Sequence, residues 1–207
     1  MPRRKQEEFE ERRRQIIDGA LQVFSTKGYR DATNKDIAAA AGINSPGLIY
    51  HYFKDKADLL RAVAEAHAPP LQLLHQAETM LTLPLEEALT LFGLTYMRLL
   101  NDPVKIAFMK MSMGEALRDP EFARMFGETG PLRVWRFLAG YLQDQMDQGI
   151  LRRMDAHLAA RQFVGPLLMQ FLTHNVMQLP EMPGIAPETI VAANVEIFLQ
   201  GLKTPEK

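Results

Sequence analysis

The amino-acid sequence predicts an all-α protein with a small N-terminal unit of three helices and a larger helical bundle after it. Apolar residues recur at three- and four-residue spacing along almost the whole chain. Proline and glycine separate these runs at short intervals, and no segment shows the alternation of a half-buried strand. With 207 residues, of which 47% are hydrophobic, the chain is long enough to bury a sizeable core.

The first helix is predicted over residues 9–26, where charged side chains fill the positions between the apolar ones. Gly28 ends it, since glycine readily adopts the left-handed conformation that follows a helix. Thr33 is a strong N-cap for the second helix, and Asp36, three positions later, makes the pair close to a capping box. We expect Gly42 to end this second helix and to turn the chain sharply.

A third, short helix is predicted from about Pro46 to Phe53, and a longer one begins near Asp55. In the remainder of the chain proline marks the helix starts, and Asp102-Pro103 is a typical N-cap and N1 pair. Further helices are predicted at 85–100, 103–117, 120–126, 131–148, 155–179 and 187–202. The sequence therefore divides into two domains, residues 1–54 and residues 55–207.

Composition excludes several classes of protein. The absence of cysteine excludes a disulfide framework and thiolate chemistry, and it is compatible with a reducing compartment. No apolar run approaches the ~20 residues that a membrane-spanning helix requires. The charged residues that open the chain do not resemble a secretory signal. We therefore expect a cytoplasmic protein with no membrane partner.

The charge distribution is compatible with a nucleic-acid partner at the N-terminus. The net charge is −1. Residues 1–56, however, contain 11 Lys and Arg against 8 Asp and Glu, whereas residues 57–207 contain 13 against 17. This modest positive excess lies in the three-helix unit, where a basic surface would attract phosphates.

Two helices joined by a tight glycine turn have the layout of a helix-turn-helix. In that arrangement the first helix crosses the phosphate backbone and the second enters the major groove, which is wide enough for one helix. Similar helix pairs also occur in all-α proteins that never bind DNA, and we assign Ile49 and Phe53 to packing. The layout alone leaves open both a DNA-binding unit and a helical protein-interaction module.

The residues of the N-terminal quarter favour the DNA-binding unit. They include Ile16-Ile17-x-x-Ala20-x-x-x-Phe24, Lys27-Gly28-Tyr29, Ala32-Thr33, Asp36-Ile37-Ala38, Ala41-Gly42-Ile43 and the run from Leu48 to Leu60. With these motifs, residues 9–62 resemble the DNA-binding domain of the TetR/AcrR family of transcriptional regulators. The resemblance implies a helix-turn-helix DNA-binding domain in residues 1–54 and a helical effector-binding and dimerisation domain in residues 55–207.

The resemblance also implies which residues contact double-stranded DNA. By motif position, Thr33 and Lys56 resemble phosphate contacts. The recognition helix and the turn before it comprise Asn44, Ser45, Pro46, Gly47, Leu48, Tyr50, His51 and Tyr52. Seven residues separate Gly42 from Tyr50, one more than the family motif usually has. Either Asn44 or Ser45 can therefore lead into the recognition helix.

A homodimer on a palindromic operator is expected, because one short recognition helix reads few base pairs and two-fold symmetry doubles the contact. The last two long helices are apolar around most of their circumference, so one face can cover the chain's own core and another a second copy. The resemblance implies the same four-helix arrangement, and the alternative is that both helices are central in a monomer. Candidate interface residues are Phe163, Leu167, Leu168, Phe171, Val191, Val195, Phe198 and Leu202.

The larger domain is rich in methionine and aromatic residues, which suit an apolar cavity for variable ligands and equally suit an ordinary core. The resemblance implies a small apolar effector whose binding releases a repressor from DNA. Candidate ligand-binding residues are Met97, Phe108, Met109, Met113, Trp135, Tyr141, Phe171 and His174. A soft metal is not predicted, because only Met109 and Met113 of the Met-x-Met-x-Met run share a helix face.

The sequence contains no P-loop, no His-Glu-x-x-His and no nucleophile elbow, and its five histidines are scattered. We therefore predict no catalytic residue, no metal and no cofactor. The protein is expected to be a DNA-binding regulator, acting as a repressor. The alternative is a helical protein-interaction module, or a non-enzymatic small-molecule binder, that does not bind DNA.

Overall fold

The computed structural model describes residues 3–67, 77–99, 102–129, 131–179 and 184–203. Within these ranges the chain is helical and contains no β-strand, only an isolated antiparallel bridge between Leu151 and Lys203. The α-helices are α1 Arg3–Lys27, α2 Asn34–Ala40, α3 Lys56–His67, α4 Ala77–Thr82, α5 Leu85–Leu99, α6 Pro103–Arg118, α7 Pro120–Thr129, α8 Pro131–Asp147, α9 Ala156–Phe171 and α10 Pro187–Leu202. The predicted all-α class is confirmed.

Two segments have a different helical geometry from the one predicted. Pro46–His51, hereafter the short helix, is a 3₁₀-helix and ends before Phe53. The helix predicted over residues 155–179 is α-helical only as far as Phe171 and continues as a π-helical turn, Leu172–Val176. A short helix at Ala77–Thr82 was not predicted. None of the helices in the described ranges is long and apolar enough to span a membrane.

The described residues form two compact units. One contains those of residues 1–68 together with 103–129, and the other contains those of 69–102 together with 130–207. The α6–α7 segment is therefore part of the N-terminal unit. The division by function into residues 1–54 and 55–207 remains a prediction, because compactness does not identify what a unit binds.

The core of the N-terminal unit combines side chains from all of its helices. Buried residues that contribute to it are Ile16 and Phe24 of α1, Ile37 of α2, Ile49 of the short helix, Leu59 of α3, Phe108 of α6 and Phe122 of α7. Each of these elements has only one apolar face, so burial against the others removes that face from water. The unit is consequently held together by the hydrophobic effect acting between helices that are distant in sequence.

Gly19 allows α1 and the end of α2 to approach closely. A Cβ atom added at Gly19 would lie 2.7 Å from the backbone nitrogen of Ala41, which is far inside the van der Waals distance. α2 then ends in a Schellman motif, in which the Ile43 amide donates to the Ala38 carbonyl (2.9 Å) and the Gly42 amide donates to the Ala39 carbonyl (3.2 Å). Gly42 has a φ of +65°, so its predicted helix-ending role is confirmed.

The second unit has its core between α5, α8, α9 and α10. The ring of Phe163 on α9 lies edge-on to Phe92 of α5, with centroids 5.8 Å apart, and to Phe198 of α10, with centroids 5.1 Å apart. The side-chain amide of the buried Asn194 donates to the Phe163 carbonyl at 2.9 Å. Because a buried amide is costly without a partner, this bond fixes the register of α10 on α9.

We predict that Gly19→Ala destabilises the protein by about 1–3 kcal/mol, because the new methyl group would overlap the backbone of Ala41, which cannot move aside as a side chain does. Gly140→Ala, in the middle of α8, is the control, since an added Cβ there meets no atom within 4 Å. We expect that control to be neutral or more stable by up to about 1 kcal/mol. Chemical denaturation of both variants measures the difference, and equal stabilities would contradict the close approach.

Candidate nucleic-acid interface

The short helix begins one residue after the turn that ends α2. Ser45 is its N-cap and Pro46 its first residue. The Leu48 amide donates to the Ser45 carbonyl and the Tyr52 amide to the Ile49 carbonyl, both at 3.0 Å. These bonds span three residues, as in a 3₁₀-helix. The structure thus assigns Ser45 to the helix start and leaves Asn44 in the turn.

The two sides of the short helix have different environments. Ile49 is 2% exposed and Phe53, just beyond the helix, is 3% exposed, and both lie in the core of the N-terminal unit. Tyr50 is 64% exposed and His51 is also exposed. The turn residues Asn44, Ser45, Pro46 and Gly47 are all exposed. The predicted DNA contacts in the turn, together with Tyr50 and His51, therefore share a surface open to solvent.

Leu48 and Tyr52 are the two predicted contacts on the short helix and its C-cap that are half-buried and pack against the core. The ring of Tyr52 also stacks on Phe9 of α1, with centroids 4.6 Å apart and an interplanar angle of 30°. One helical turn further along α1, the guanidinium of Arg13 lies 5.2 Å from the centroid of the Phe53 ring. Both contacts join the first half of α1 to the end of the short helix.

Thr33 forms the predicted capping box with Asp36. The Asp36 amide donates to Thr33 Oγ1 (3.2 Å), and the Thr33 amide donates to Asp36 Oδ2 (3.3 Å). Lys27 Nζ donates to Asp36 Oδ1 at 2.6 Å, and Thr33 Oγ1 donates to Asp36 Oδ2 at 2.7 Å. The hydrogen bond from Lys27, followed by that from Thr33, lowers the pKa of Asp36 to about 2. The hydrogen bonds among Lys27, Thr33 and Asp36 thus stabilise the N-terminus of α2.

Lys56 stabilises the turn between α1 and α2. Its Nζ donates to the carbonyls of Arg30 (3.0 Å) and Ala32 (3.2 Å) and lies 4.8 Å from the centroid of the Tyr29 ring. Burial lowers the pKa of Lys56, while the carboxylates of Asp31 and Glu115 act in the opposite direction. The phosphate contact assigned to Lys56 remains a prediction, and the structure gives its ammonium group partners within the protein.

The same turn contacts α6 and α7. The Tyr29 ring lies 5.5 Å from the ring of Phe24 and 5.5 Å from that of Phe122, measured between centroids. Arg30 Nε lies 3.3 Å from the almost fully buried carboxylate of Glu115. Burial, followed by the charge of Asp55, raises the pKa of Tyr29. The turn that leads into Thr33 is therefore held both by Lys56 and by side chains of α6 and α7.

The candidate dimer-interface residues lie mostly in the interior of their own chain. Leu168 is half-buried, and the other seven are buried, namely Phe163, Leu167, Phe171, Val191, Val195, Phe198 and Leu202. Contact with a second copy would have to use other side chains of α9 and α10. Leu158, Met169 and Ile197 are the large apolar side chains that these two α-helices expose.

The candidate ligand-binding residues lie in both units. Those of the N-terminal unit are on α6, namely Phe108, Met109 and Met113. Those of the second unit are Met97, Trp135, Tyr141, Phe171 and His174. Phe108 is buried and Met109 packs against the same core, whereas His174 is exposed.

Tyr141 differs from the other candidates because it is buried with an unsatisfied polar atom. Among the described residues, its hydroxyl has no hydrogen-bond partner, and burial raises the pKa of this hydroxyl. A buried hydroxyl without a partner is costly, so such a group often marks a place that a ligand or water completes. Among the described residues, no three His, Asp or Glu side chains converge as a metal site would require.

Several contacts of the interface were not expected from the sequence. Phe9, Arg13 and the Arg30–Glu115 pair were not singled out. The signal for Phe9 was present, because it is the one aromatic residue in a run of charged and amide side chains from Arg3 to Gln15. No sequence signal identified Glu115 as the partner of Arg30, since 84 intervening residues separate them.

Two protein families match this chain. Residues 16–63 match the family described as bacterial regulatory proteins of the tetR family. Residues 87–201, more than half of the chain, match the family described as the C-terminal domain of the AefR-like transcriptional repressor. The two matches include both the helix-turn-helix and the helices of the second unit.

Curated relatives match mainly through the N-terminal region. The transcriptional regulator SrpR of Pseudomonas putida is 42% identical over 73 residues, which are 35% of this chain and 34% of SrpR. The regulator TtgW of Pseudomonas putida is 41% identical over 73 residues, covering 35% of this chain and 54% of TtgW. The chain thus spans about a third to a half of the length of these relatives.

Solved structures match over nearly the whole chain. A TetR-family regulator from Mesorhizobium loti has a TM-score of 0.75 at 24% identity, covering 95% of this chain and 98% of that one. The flavonoid-responsive regulator FrrA has a TM-score of 0.69 at 27% identity, covering 94% and 98%. Both share the arrangement of an N-terminal helix-turn-helix and a C-terminal helical domain.

We predict that Lys27→Met raises the pKa of Asp36 from about 2 towards its ordinary value of 3.8, because the variant lacks the strongest hydrogen bond to the carboxylate. In the wild type the folded-state pKa is depressed, so the pairing stabilises the fold above pH 3.8 and that contribution is lost as the pH falls through about 2. Carboxyl NMR titration measures the shift, with Lys35→Met on the exposed side of α2 as control. Identical titration curves in both variants would contradict the assigned cause.

Proposed function

The chain belongs to the TetR family of bacterial regulatory proteins, and we propose that it is a repressor that binds a palindromic operator and leaves it when a small apolar effector binds. Members of this family are in general DNA-binding transcription factors. The main observation behind the proposal is that the short helix buries Ile49 in the core and exposes Tyr50 and His51 to solvent.

We assign base readout to Tyr50 and His51. With three residues per turn, Gly47 lies one turn before Tyr50 on the same side of the short helix, and its lack of a side chain lets the backbone approach the groove. The exposed Asn44 and Ser45 precede it and carry side chains that can donate to phosphates. Thr33 fixes the start of α2, because its amide and its hydroxyl both donate to Asp36. Lys56 supports these contacts by stabilising the turn before Thr33.

We assign dimerisation to the exposed face of α9 and α10. Leu158, Pro166 and Ile197 line a groove between these two helices, and Ile197 is 70% exposed. An apolar side chain of this size in contact with water favours association, since burial of its surface contributes roughly 25 cal/mol per Å². A two-fold arrangement of this face would present two short helices to successive major grooves.

We assign the effector to the second unit, with Tyr141 as the residue that provides a polar contact. Met97 and Phe171 are buried in the same unit, and the unpaired hydroxyl of Tyr141 would donate to one polar atom of an otherwise apolar molecule. FrrA, at 27% identity, is named a flavonoid-responsive regulator, and this favours an aromatic ring system in the effector.

The test is a gel-shift titration with the DNA that flanks the gene, at two salt concentrations and with excess competitor DNA. If this DNA contains no operator, a duplex is recovered by random-sequence selection on protein freed of ligand. We predict that Tyr50→Ala weakens specific binding roughly tenfold, because a base-edge contact is typically worth 1–3 kcal/mol. An apolar compound that reduces the fraction of DNA bound by the wild type is identified as an effector.

Leu117→Ala is the matched control for Tyr50→Ala. Leu117 is 89% exposed on α6 and lies outside the helix-turn-helix. The substitution therefore removes a large exposed side chain and leaves the proposed DNA interface unchanged. Equal affinities of the two variants would contradict the assignment of Tyr50. If the ligand-free wild type selects no sequence, the repressor proposal fails, and the protein is then a ligand-binding or protein-interaction module.

We predict that Ile197→Glu converts the dimer into a monomer while the fold is retained, because the new carboxylate lies on the exposed face of α10 and would be desolvated only in the dimer. Sedimentation velocity gives the mass. Leu81→Glu, on α4 of the same unit and 60% exposed, is the control and should remain dimeric. A dimeric Ile197→Glu variant would place the interface on another surface.

A further inference from the structure

We propose that Phe9 is a positioning residue for DNA recognition, which fixes Tyr52 and thereby the orientation in which the short helix presents Tyr50 and His51. The inference rests on the proposed DNA-binding function. It adds a specificity determinant on α1, outside the helix-turn-helix, and it assigns a role to the first turns of that helix.

The first half of α1 contributes almost nothing to the core. The helix has 25 residues, yet from Lys5 onward its first buried side chain is Ile16, and the residues from Lys5 to Glu11 are all exposed. A helical segment that buries no apolar face is marginal in water, because ordering it costs conformational entropy. The contacts that this half makes elsewhere therefore explain why its helix continues so far beyond the core.

Two of those contacts are made with neighbouring residues at the end of the short helix. Phe9 stacks on Tyr52 at 4.6 Å, and Arg13 lies over Phe53 at 5.2 Å. Residues four apart lie on the same face of a helix, so a single face of α1 contacts two consecutive residues at the end of the short helix. Phe53 is buried in the core, whereas Tyr52 is only half-buried: one part of it packs against the core and its ring stacks on Phe9.

The short helix has little stability of its own. It is six residues long, contains Pro46 and Gly47, and the side chain of its N-cap Ser45 makes no capping hydrogen bond. Short 3₁₀ segments have poorer hydrogen-bond geometry than α-helices. Its orientation is therefore set by tertiary contacts, with Ile49 in the core on one side and the Phe9–Tyr52 stack at its end.

A loss of this stack is expected to affect specificity more than general affinity. Phosphate contacts depend on charge and tolerate small displacements, whereas base-edge hydrogen bonds require close alignment. Phe9 carries no charge and is 43% exposed. Its removal should leave the salt dependence of binding and the core of the unit unchanged while the short helix adopts several orientations on the groove.

The experiment measures the ratio of specific to non-specific affinity for Phe9→Ala. The specific probe is a duplex recovered by random-sequence selection with the wild type, and the non-specific probe has the same length and a scrambled sequence. We expect the ratio to fall about tenfold, with an unchanged slope of affinity against salt. Phe9→Trp, which retains a stacking ring, should restore the ratio, and Gln6→Ala on the same exposed segment should have the wild-type value.

A double-variant cycle separates positioning from direct contact. If Phe9 acts through Tyr52, adding Phe9→Ala to Tyr52→Ala should cause little further loss. Additive losses, an unchanged ratio in Phe9→Ala, or a Phe9→Trp variant as poor as Phe9→Ala would each overturn the inference. If the wild type itself shows no preference for any sequence, the proposed function fails and the inference fails with it. If the wild type prefers one sequence and Phe9→Ala keeps the same preference, only the inference is overturned.

Discussion

The close approach of Gly19 to the backbone of Ala41 is the constraint on which the position of the short helix depends. It places the end of α2 directly against α1, at a distance that no side chain permits. The Schellman motif with Gly42 lies at that point, and Ser45, the N-cap of the short helix, follows three residues after this glycine. A shift of α2 along α1 would therefore carry the whole exposed surface around Tyr50 with it.

The structure separates residues that contact DNA in our proposal from residues that support them. Tyr50 and His51 are exposed and are the proposed base contacts, but the short helix depends on its surroundings for its orientation. α1 contacts its end through Phe9, and Lys56 fixes the turn before α2 through two backbone carbonyls. This arrangement suits the proposed recognition helix, because the contacts of Ile49, Phe9 and Lys56 leave Tyr50 and His51 exposed.

Features with local causes could be predicted from the sequence, and features that depend on distant partners could not. The Thr33–Asp36 capping box and the Gly42 turn follow from spacings of a few residues, and both are present. The choice between a 3₁₀- and an α-helix at Pro46 depends on tertiary contacts that no short pattern encodes. For α9 and α10, apolar residues surround most of each helix, so periodicity alone could not separate the face that covers the chain's own core from the face left exposed.

The membership of α6 and α7 in the N-terminal unit has a consequence for how such proteins can be recombined. Phe108 and Phe122 complete the core around α1 and α3, but in sequence they follow α5, which belongs to the other unit. A fragment that ends after α3 would therefore expose the apolar surface that these two rings cover. In a chimera with a relative, a transplanted α1–α3 block would have to pack against the α6 and α7 of the recipient chain. The residues that surround these two rings would therefore need to match on both sides of the junction.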